Sequence, residues 1–214
     1  MSECLPFMSA SSQLVSQVFP PAENLSEIMP WRTLFGSDRP VEIDVGCGKG
    51  LFLVTAGAER TGTDFLGIEA SRKYALLSAR RVAERRLDNV HVVVADARVV
   101  LSAYVPRESV QAVHVYFPDP WWKRRHRGRR VLNELFLHDV ERAVVPGGQL
   151  HVWTDVEEYF RTTQELIRRH TGLRPVGPAA EREPQHDMDY QSNFERKMRR
   201  RGRCVFRALY RKGP

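Results

Sequence analysis

Three groups of residues in this 214-residue chain have the types and spacing to do chemistry. The first is Asp44-Val45-Gly46-Cys47-Gly48-Lys49-Gly50, where glycines at alternate positions let the backbone turn tightly and approach a ligand closely. A dinucleotide fingerprint would need glycine at position 51, where Leu51 stands. A P-loop would need Ser or Thr after Gly48-Lys49, where Gly50 stands. The second group is a pair of acids, Glu69 and Asp96, each closing an apolar run. The third is Phe117-Pro118-Asp119-Pro120-Trp121-Trp122-Lys123-Arg124-Arg125-His126. Two prolines fix the backbone around Asp119 and present its carboxylate rigidly. Trp121 and Trp122 offer planar faces for a base, and the cations that follow suit phosphates. Plainer roles exist for single members: Asp96 as a helix N-cap, Glu42 as a charge at a sheet edge, one Trp as core. They do not account for the whole string.

These groups need a scaffold that carries them to one place. Short apolar runs read as strands near 41–45, 64–69, 90–95, 110–117 and 148–154, with helical patterns at 49–60, 71–86, 97–104, 131–144 and 156–170 between and after them. Ser71, Asp96 and Asp155 stand where they would cap the second, third and fifth helices, and Pro146-Gly147-Gly148 would end the fourth. The alternation predicts an α/β fold, a doubly wound, mostly parallel sheet covered by helices on both faces. Cofactors bind such sheets at the carboxyl ends of the strands, where the glycine loop, Glu69, Asp96 and Asp119 all fall. Residues 173–190 read as a loop rich in Pro and charge, and 203–211 as one more strand. Residues 1–30 show no periodicity and read as an irregular segment ahead of a single domain over 31–214.

Charge is concentrated rather than spread. The chain is +7 overall, but residues 123–130 and 196–203 each hold six Lys or Arg, and without those twelve the remainder is −5 (21 basic, 26 acidic). Two basic strips on an acidic body predict a polyanion bound at a defined place. Three widely spaced cysteines, Cys4, Cys47 and Cys204, suit a reducing compartment better than a disulfide framework or a zinc site, and no metal is expected. The first thirty residues hold no Lys or Arg and so lack the charged start of a secretory signal, and no apolar run approaches the roughly 20 residues needed to span a bilayer. A cytoplasmic protein with no membrane partner is expected.

The glycine loop with Asp44, Glu69 and Asp96 resembles the cofactor site of class I S-adenosylmethionine-dependent methyltransferases, whose fold is Rossmann-like with an antiparallel C-terminal strand. That resemblance implies that Gly46, Gly48 and Gly50 cradle S-adenosylmethionine, with S-adenosylhomocysteine as product. It implies that Asp44 lies near the methionine end, Glu69 holds the ribose hydroxyls, and Asp96 with Ala97 contacts adenine. Residues 117–126 resemble more closely the tRNA (guanine-N7)-methyltransferases, whose fourth strand ends in F-x-DPW-x-K-x-RH, matched here by Phe117, Asp119, Pro120, Trp121, Lys123, Arg125 and His126. Thr154-Asp155 and Ser192-Asn193-Phe194-Glu195 extend the similarity, with Ser192 where the family has Thr, and it covers residues 40–212. The resemblance implies methylation of a guanine N7 in tRNA, in the variable loop, by a monomer or homodimer. Asp119 would be the active-site residue, also touching the cofactor. Lys123, Arg124, Arg125, His126, Asp155 and the Ser192–Glu195 segment would hold the tRNA.

N7 carries a lone pair and no proton, so Asp119 is expected to position guanine and stabilise charge rather than act as a base. Asp119 and Asp155 both remain open as readers of the guanine edge. Methylation of an exocyclic amine fits less well, because its motif has two prolines directly after the polar residue, whereas here Pro118 and Pro120 enclose the acid. A small-molecule methyltransferase would have no use for the two cationic strips. A non-catalytic tRNA-binding protein would not need an intact glycine loop, Glu69 and Asp119 together.

Overall fold

The computed structural model describes residues 31–177 and 204–214. A short helix α1 (Trp31–Phe35) leads into β1 (Val41–Val45), α2 (Leu51–Glu59), β2 (Asp64–Glu69), α3 (Arg72–Glu84), β3 (Val90–Val94), α4 (Ala97–Ala103) and β4 (Val110–Tyr116). A 3-10 helix (Arg124–Arg129), α5 (Glu134–Ala143), β5 (Val144–Thr154), α6 (Glu157–His170), β6 (Arg174–Pro175) and β7 (Phe206–Arg211) follow. The seven strands form one sheet in the order β3-β2-β1-β4-β5-β7-β6. All pairings from β3 to β5 are parallel, and β7 runs antiparallel to both its neighbours. The chain order reverses between β1 and β4, which opens the crevice where such sheets bind ligands.

Alternation along each strand divides the core in two. Ile43, Val45, Ile68, Val113, Val115, Leu150 and Val152 pack with Leu101, Phe136, Leu137, Tyr159 and Ile167 from α4, α5 and α6. On the other face Phe65, Val90 and Val92 meet Phe52 and Leu53 of α2 and Ala75, Ala79 and Val82 of α3. Helix α2 is apolar on nearly all sides because it is wedged between the sheet and α3. Its first turn needs glycine: Gly50 has φ +72, and a Cβ there would collide with Ser78 of α3.

Several expected boundaries are corrected. Pro146-Gly147-Gly148 does not end a helix but lies inside β5; α5 stops at Ala143, and Val144 is already extended. The sheet absorbs the insertion as a bulge, its register with β4 shifting between Val110–Val144 and Ala112–Gln149 while Gly147 turns at φ +76. Asp155 is not a cap, since Val156 holds the N-cap position of α6 and donates its N–H to Thr154 Oγ1. Ser71 precedes α3 without a side-chain cap bond. The first three residues of the expected fourth helix, 131–133, are irregular, and α5 begins at Glu134 after an Asn133 cap. Glu42 is no edge charge: β1 is central, and this residue is buried.

Candidate active site

The loop after β1 is bent by three left-handed glycines at alternate positions, Gly46, Gly48 and Gly50. Gly46 and Cys47 donate their N–H groups to Ile68 O at 2.8 and 3.1 Å, tying the loop to β2. Glu69 closes β2 and accepts at each carboxylate oxygen, from Gly48 N at 2.9 Å and Ser71 N at 2.8 Å. A side chain on Gly46 would point into open space, as would one on Gly48 apart from Gly46 O at 3.9 Å. That space belongs to a cavity of about 570 Å³ at the carboxyl end of the sheet, walled among others by Gly46, Gly48, Glu69, Asp96, Ala97, Tyr116 and Asp119. Ligand pockets run from roughly 300 to 1,000 Å³, so the volume suits a nucleoside-sized group.

Two expected cofactor residues are not on that wall. Gly50 starts α2, and Asp44 lies one position deeper in β1 than Val45, only 3% exposed. Burial, reinforced by the charge of Glu69, pushes the Asp44 carboxyl up to about 8. Asp96 does double duty. It caps α4 by accepting from Arg98 N at 2.9 Å, and its carboxylate pairs with the Arg98 guanidinium at 2.6 Å, whose hydrogen bond holds it below its ordinary pKa.

The acid-bearing turn beyond β4 is held in an unusual shape. Phe117 (φ +51) and Trp121 (φ +44) bracket Asp119, both in the left-handed region that bulky residues avoid. Phe117 N donates to Trp153 O at 2.7 Å, and buried Arg130 donates to Pro120 O at 2.8 Å while its guanidinium lies 4.6 Å from the Tyr159 ring. The Trp121 ring has the Arg129 guanidinium 5.1 Å from its centroid and His126 edge-on at 5.9 Å. Asp119 and Trp121 also line a second cavity of about 500 Å³ with Pro120, Trp122, Lys123 and His126. Trp122 is 63% exposed there. Arg124 and Arg125 stand exposed on the 3-10 helix, Arg125 Nε donating to His126 Nε2 at 3.2 Å.

The fold therefore brings Asp119 and the Gly46–Asp96 set to one cavity and Lys123 and His126 to its neighbour. Asp155 lies on neither wall. Ser192, Asn193, Phe194, Glu195 and the second basic strip lie outside the described residues. Sequence reasoning missed Tyr74, Arg98, Tyr116 and Arg129 on the cofactor-side wall. Of these Tyr116 carried a signal in its place beside the Phe117 motif, and Arg129 in its place within the basic strip 123–130. Among the described residues one cluster has metal-ligating types close together, Glu134, His138 and His170 between α5 and α6, and it touches neither cavity.

The sheet order is that of the class I methyltransferases. The 16S rRNA methyltransferase KamB superposes with a TM-score of 0.64 over 88% of this chain and 95% of that one, at 19% identity. A 16S rRNA (adenine(1408)-N(1))-methyltransferase from Catenulisporales acidiphilia, solved with its cosubstrate SAM, gives 0.58 over 86% and 90%, at 16% identity.

Sequence narrows the class. Residues 38–208 match a family model described as "Putative methyltransferase". The tRNA (guanine-N(7)-)-methyltransferase of Rhodopirellula baltica is 43% identical over 89% of this chain and 72% of its own length. The enzyme of the same name from Rubrobacter xylanophilus is 38% identical over 81% and 77%. The chain belongs to the tRNA (guanine-N(7)-)-methyltransferase family, and its methyl donor is S-adenosylmethionine. The donor set fits that molecule: a side-chain-free cradle at Gly46 and Gly48, with the acids at the carboxyl ends of β2 and β3 on the same wall.

Proposed function

We propose that this chain methylates N7 of a guanine in the variable loop of tRNA, with Asp119 as the residue that holds the guanine. One observation carries this reading: Asp119 and Trp121 stand on the wall common to the glycine-loop cavity and the pocket formed with Lys123 and His126. A base in the second pocket would meet a donor in the first across Asp119. Asp155 touches neither cavity, which favours Asp119 as the reader of the guanine edge.

S-adenosylmethionine supplies an electrophilic methyl on a sulfonium. Guanine N7 attacks through an in-plane lone pair and has no proton to lose, so no residue here need act as a base. The chain's work is placement. Pro118, Pro120, the Phe117–Trp153 bond and Arg130 fix the turn, so the backbone that presents Asp119 is set before substrate arrives. Accepting from the N1–H and amino edge, it selects guanine over adenine and offsets the positive charge that the purine gains. Glu69 has accepting lone pairs left for ribose hydroxyls after its two backbone bonds, and Asp96 and Ala97 lie where the adenine end would rest. Arg124, Arg125 and the exposed ring of Trp122 hold phosphates and bases around the target.

We read residues 31–214 as one domain working in the cytoplasm on tRNA, as monomer or homodimer. No helix among the described residues is long and apolar enough to cross a membrane. The test is direct: incubate the protein with unmodified tRNA and labelled S-adenosylmethionine, then map N7-methylguanine by aniline cleavage. Cleavage at a single variable-loop guanine is expected, whereas label on an exocyclic amine, or no transfer, overturns the assignment.

A further inference from the structure

Beneath α2 lies a buried polar chain formed by Arg60, Glu42, His114 and Tyr116. His114 of β4 is 3% exposed and Glu42 of β1 7%, though they stand 72 positions apart in sequence. His114 Nε2 lies 2.7 Å from Glu42 Oε2, and Nδ1 lies 2.8 Å from the Tyr116 hydroxyl. Arg60, at the end of α2, reaches down to both Glu42 oxygens at 2.8 and 2.9 Å. His151 of β5 stacks on the His114 ring at 4.6 Å, and Phe52 of α2 packs against both His114 and Tyr116.

The hydrogen positions follow from elimination. A carboxylate paired with Arg60 can only accept, so Nε2 carries the imidazole proton; burial keeps the ring neutral, so Nδ1 accepts from the Tyr116 O–H. The chain therefore has one direction, and it ends on a residue of the cofactor cavity wall. Phe117, immediately after Tyr116, begins the left-handed turn that carries Asp119. The end of β4 is thus pinned twice, by the Phe117–Trp153 backbone bond and by the Tyr116 hydroxyl.

We infer that Tyr116 is a positioning residue for methyl transfer, its ring and the adjoining Asp119 turn held in register with the cofactor cavity by the Arg60–Glu42–His114 chain. This rests on the proposed methyltransferase reading. A polar chain needed only for folding could have been replaced by apolar residues in this setting at little cost. A chain ending on the reactive wall has a further use, because small displacements of a catalytic turn cost rate steeply.

The experiment compares Tyr116→Phe, His114→Leu, His114→Asn and the double variant Tyr116→Phe/His114→Leu, all scored by N7 methylation of tRNA, cofactor affinity and thermal unfolding. Tyr116→Phe keeps the ring and removes only the hydroxyl. It is expected to lower kcat about tenfold, with the KM for tRNA and the Kd for S-adenosylmethionine within about twofold of the parent. His114→Leu should lose as much, and the double variant no more than either, because His114 acts through Tyr116. His114→Asn places an oxygen where Nδ1 stood and should recover most of the loss relative to His114→Leu. Tyr116→Phe with kcat within twofold of the parent overturns the inference, as does a double variant whose losses multiply. An inactive parent would instead overturn the methyltransferase reading itself.

Discussion

Replacing Asp44 with Asn should make the cofactor-free protein more stable near neutral pH while weakening its hold on S-adenosylmethionine. The buried carboxyl titrates at about 8, against an ordinary value of 3.8 that returns when the chain unfolds. The sign follows from linkage. Between 3.8 and 8 the folded state keeps a proton that the unfolded state has released, so stability falls as pH rises through that window and levels off above it. At pH 7 the interval above 3.8 is 3.2 units, which at ~1.36 kcal/mol per unit is on the order of 4 kcal/mol as an upper bound. Asn is isosteric and does not titrate, so Asp44→Asn should raise Tm by roughly 8–16 °C at pH 7 if the whole bound is realised. The assay is thermal unfolding of both proteins from pH 5 to pH 9 without cofactor. The stability gap should widen with pH and flatten above pH 8. A gap independent of pH, or a variant less stable throughout, refutes the reasoning. S-adenosylmethionine is a cation, and its charge in the adjoining cavity should lower the Asp44 pKa again, so in the parent protein it should bind more tightly as pH rises toward 8, with uptake of the ligand releasing a proton measurable by calorimetry in buffers of different ionisation heat.

Asp119→Ala should lower kcat about 100-fold or more while changing tRNA affinity little, measured by single-turnover methylation beside filter binding; near-normal turnover would remove Asp119 from the mechanism. Arg124→Ala should weaken tRNA binding and reduce the slope of log affinity against log salt by roughly 0.7–0.9, with kcat at saturating tRNA preserved. Gly50→Ala should cost on the order of 3 kcal/mol in denaturant unfolding, because it meets both a left-handed φ and Ser78; an unchanged midpoint would mean that α2 and α3 separate more readily than their packing implies.

Much of the scaffold was legible because its signals are local. Strands β1 to β4 are short apolar runs that alternate with helical patterns, which is enough to predict a parallel sheet covered by helices. The glycine loop and Glu69 could be read as a unit because one βαβ turn fixes their separation. What escaped depends on contacts far apart in the chain. Pro146-Gly147-Gly148 looked like a helix end, since only the pairing of β5 with β4 shows that a bulge can absorb it. Glu42 looked like an edge charge, because nothing near it in sequence announces Arg60 or His114. Asp155 seemed a cap because it precedes a helical pattern, but the extended backbone persists one residue further.

The two left-handed residues on either side of Asp119 also bear on how the enzyme should fail when heated. Phe117 and Trp121 each hold a conformation costing on the order of 1–3 kcal/mol, so the turn does not sustain itself and would relax if released. Its shape is borrowed from β5 through Trp153 and from Arg130. Loosening either anchor lets the turn settle into an ordinary loop while sheet and core stay intact. Methyl transfer should therefore vanish at a lower temperature than the cooperative melting of the fold, a gap that widens in any variant weakened at those anchors.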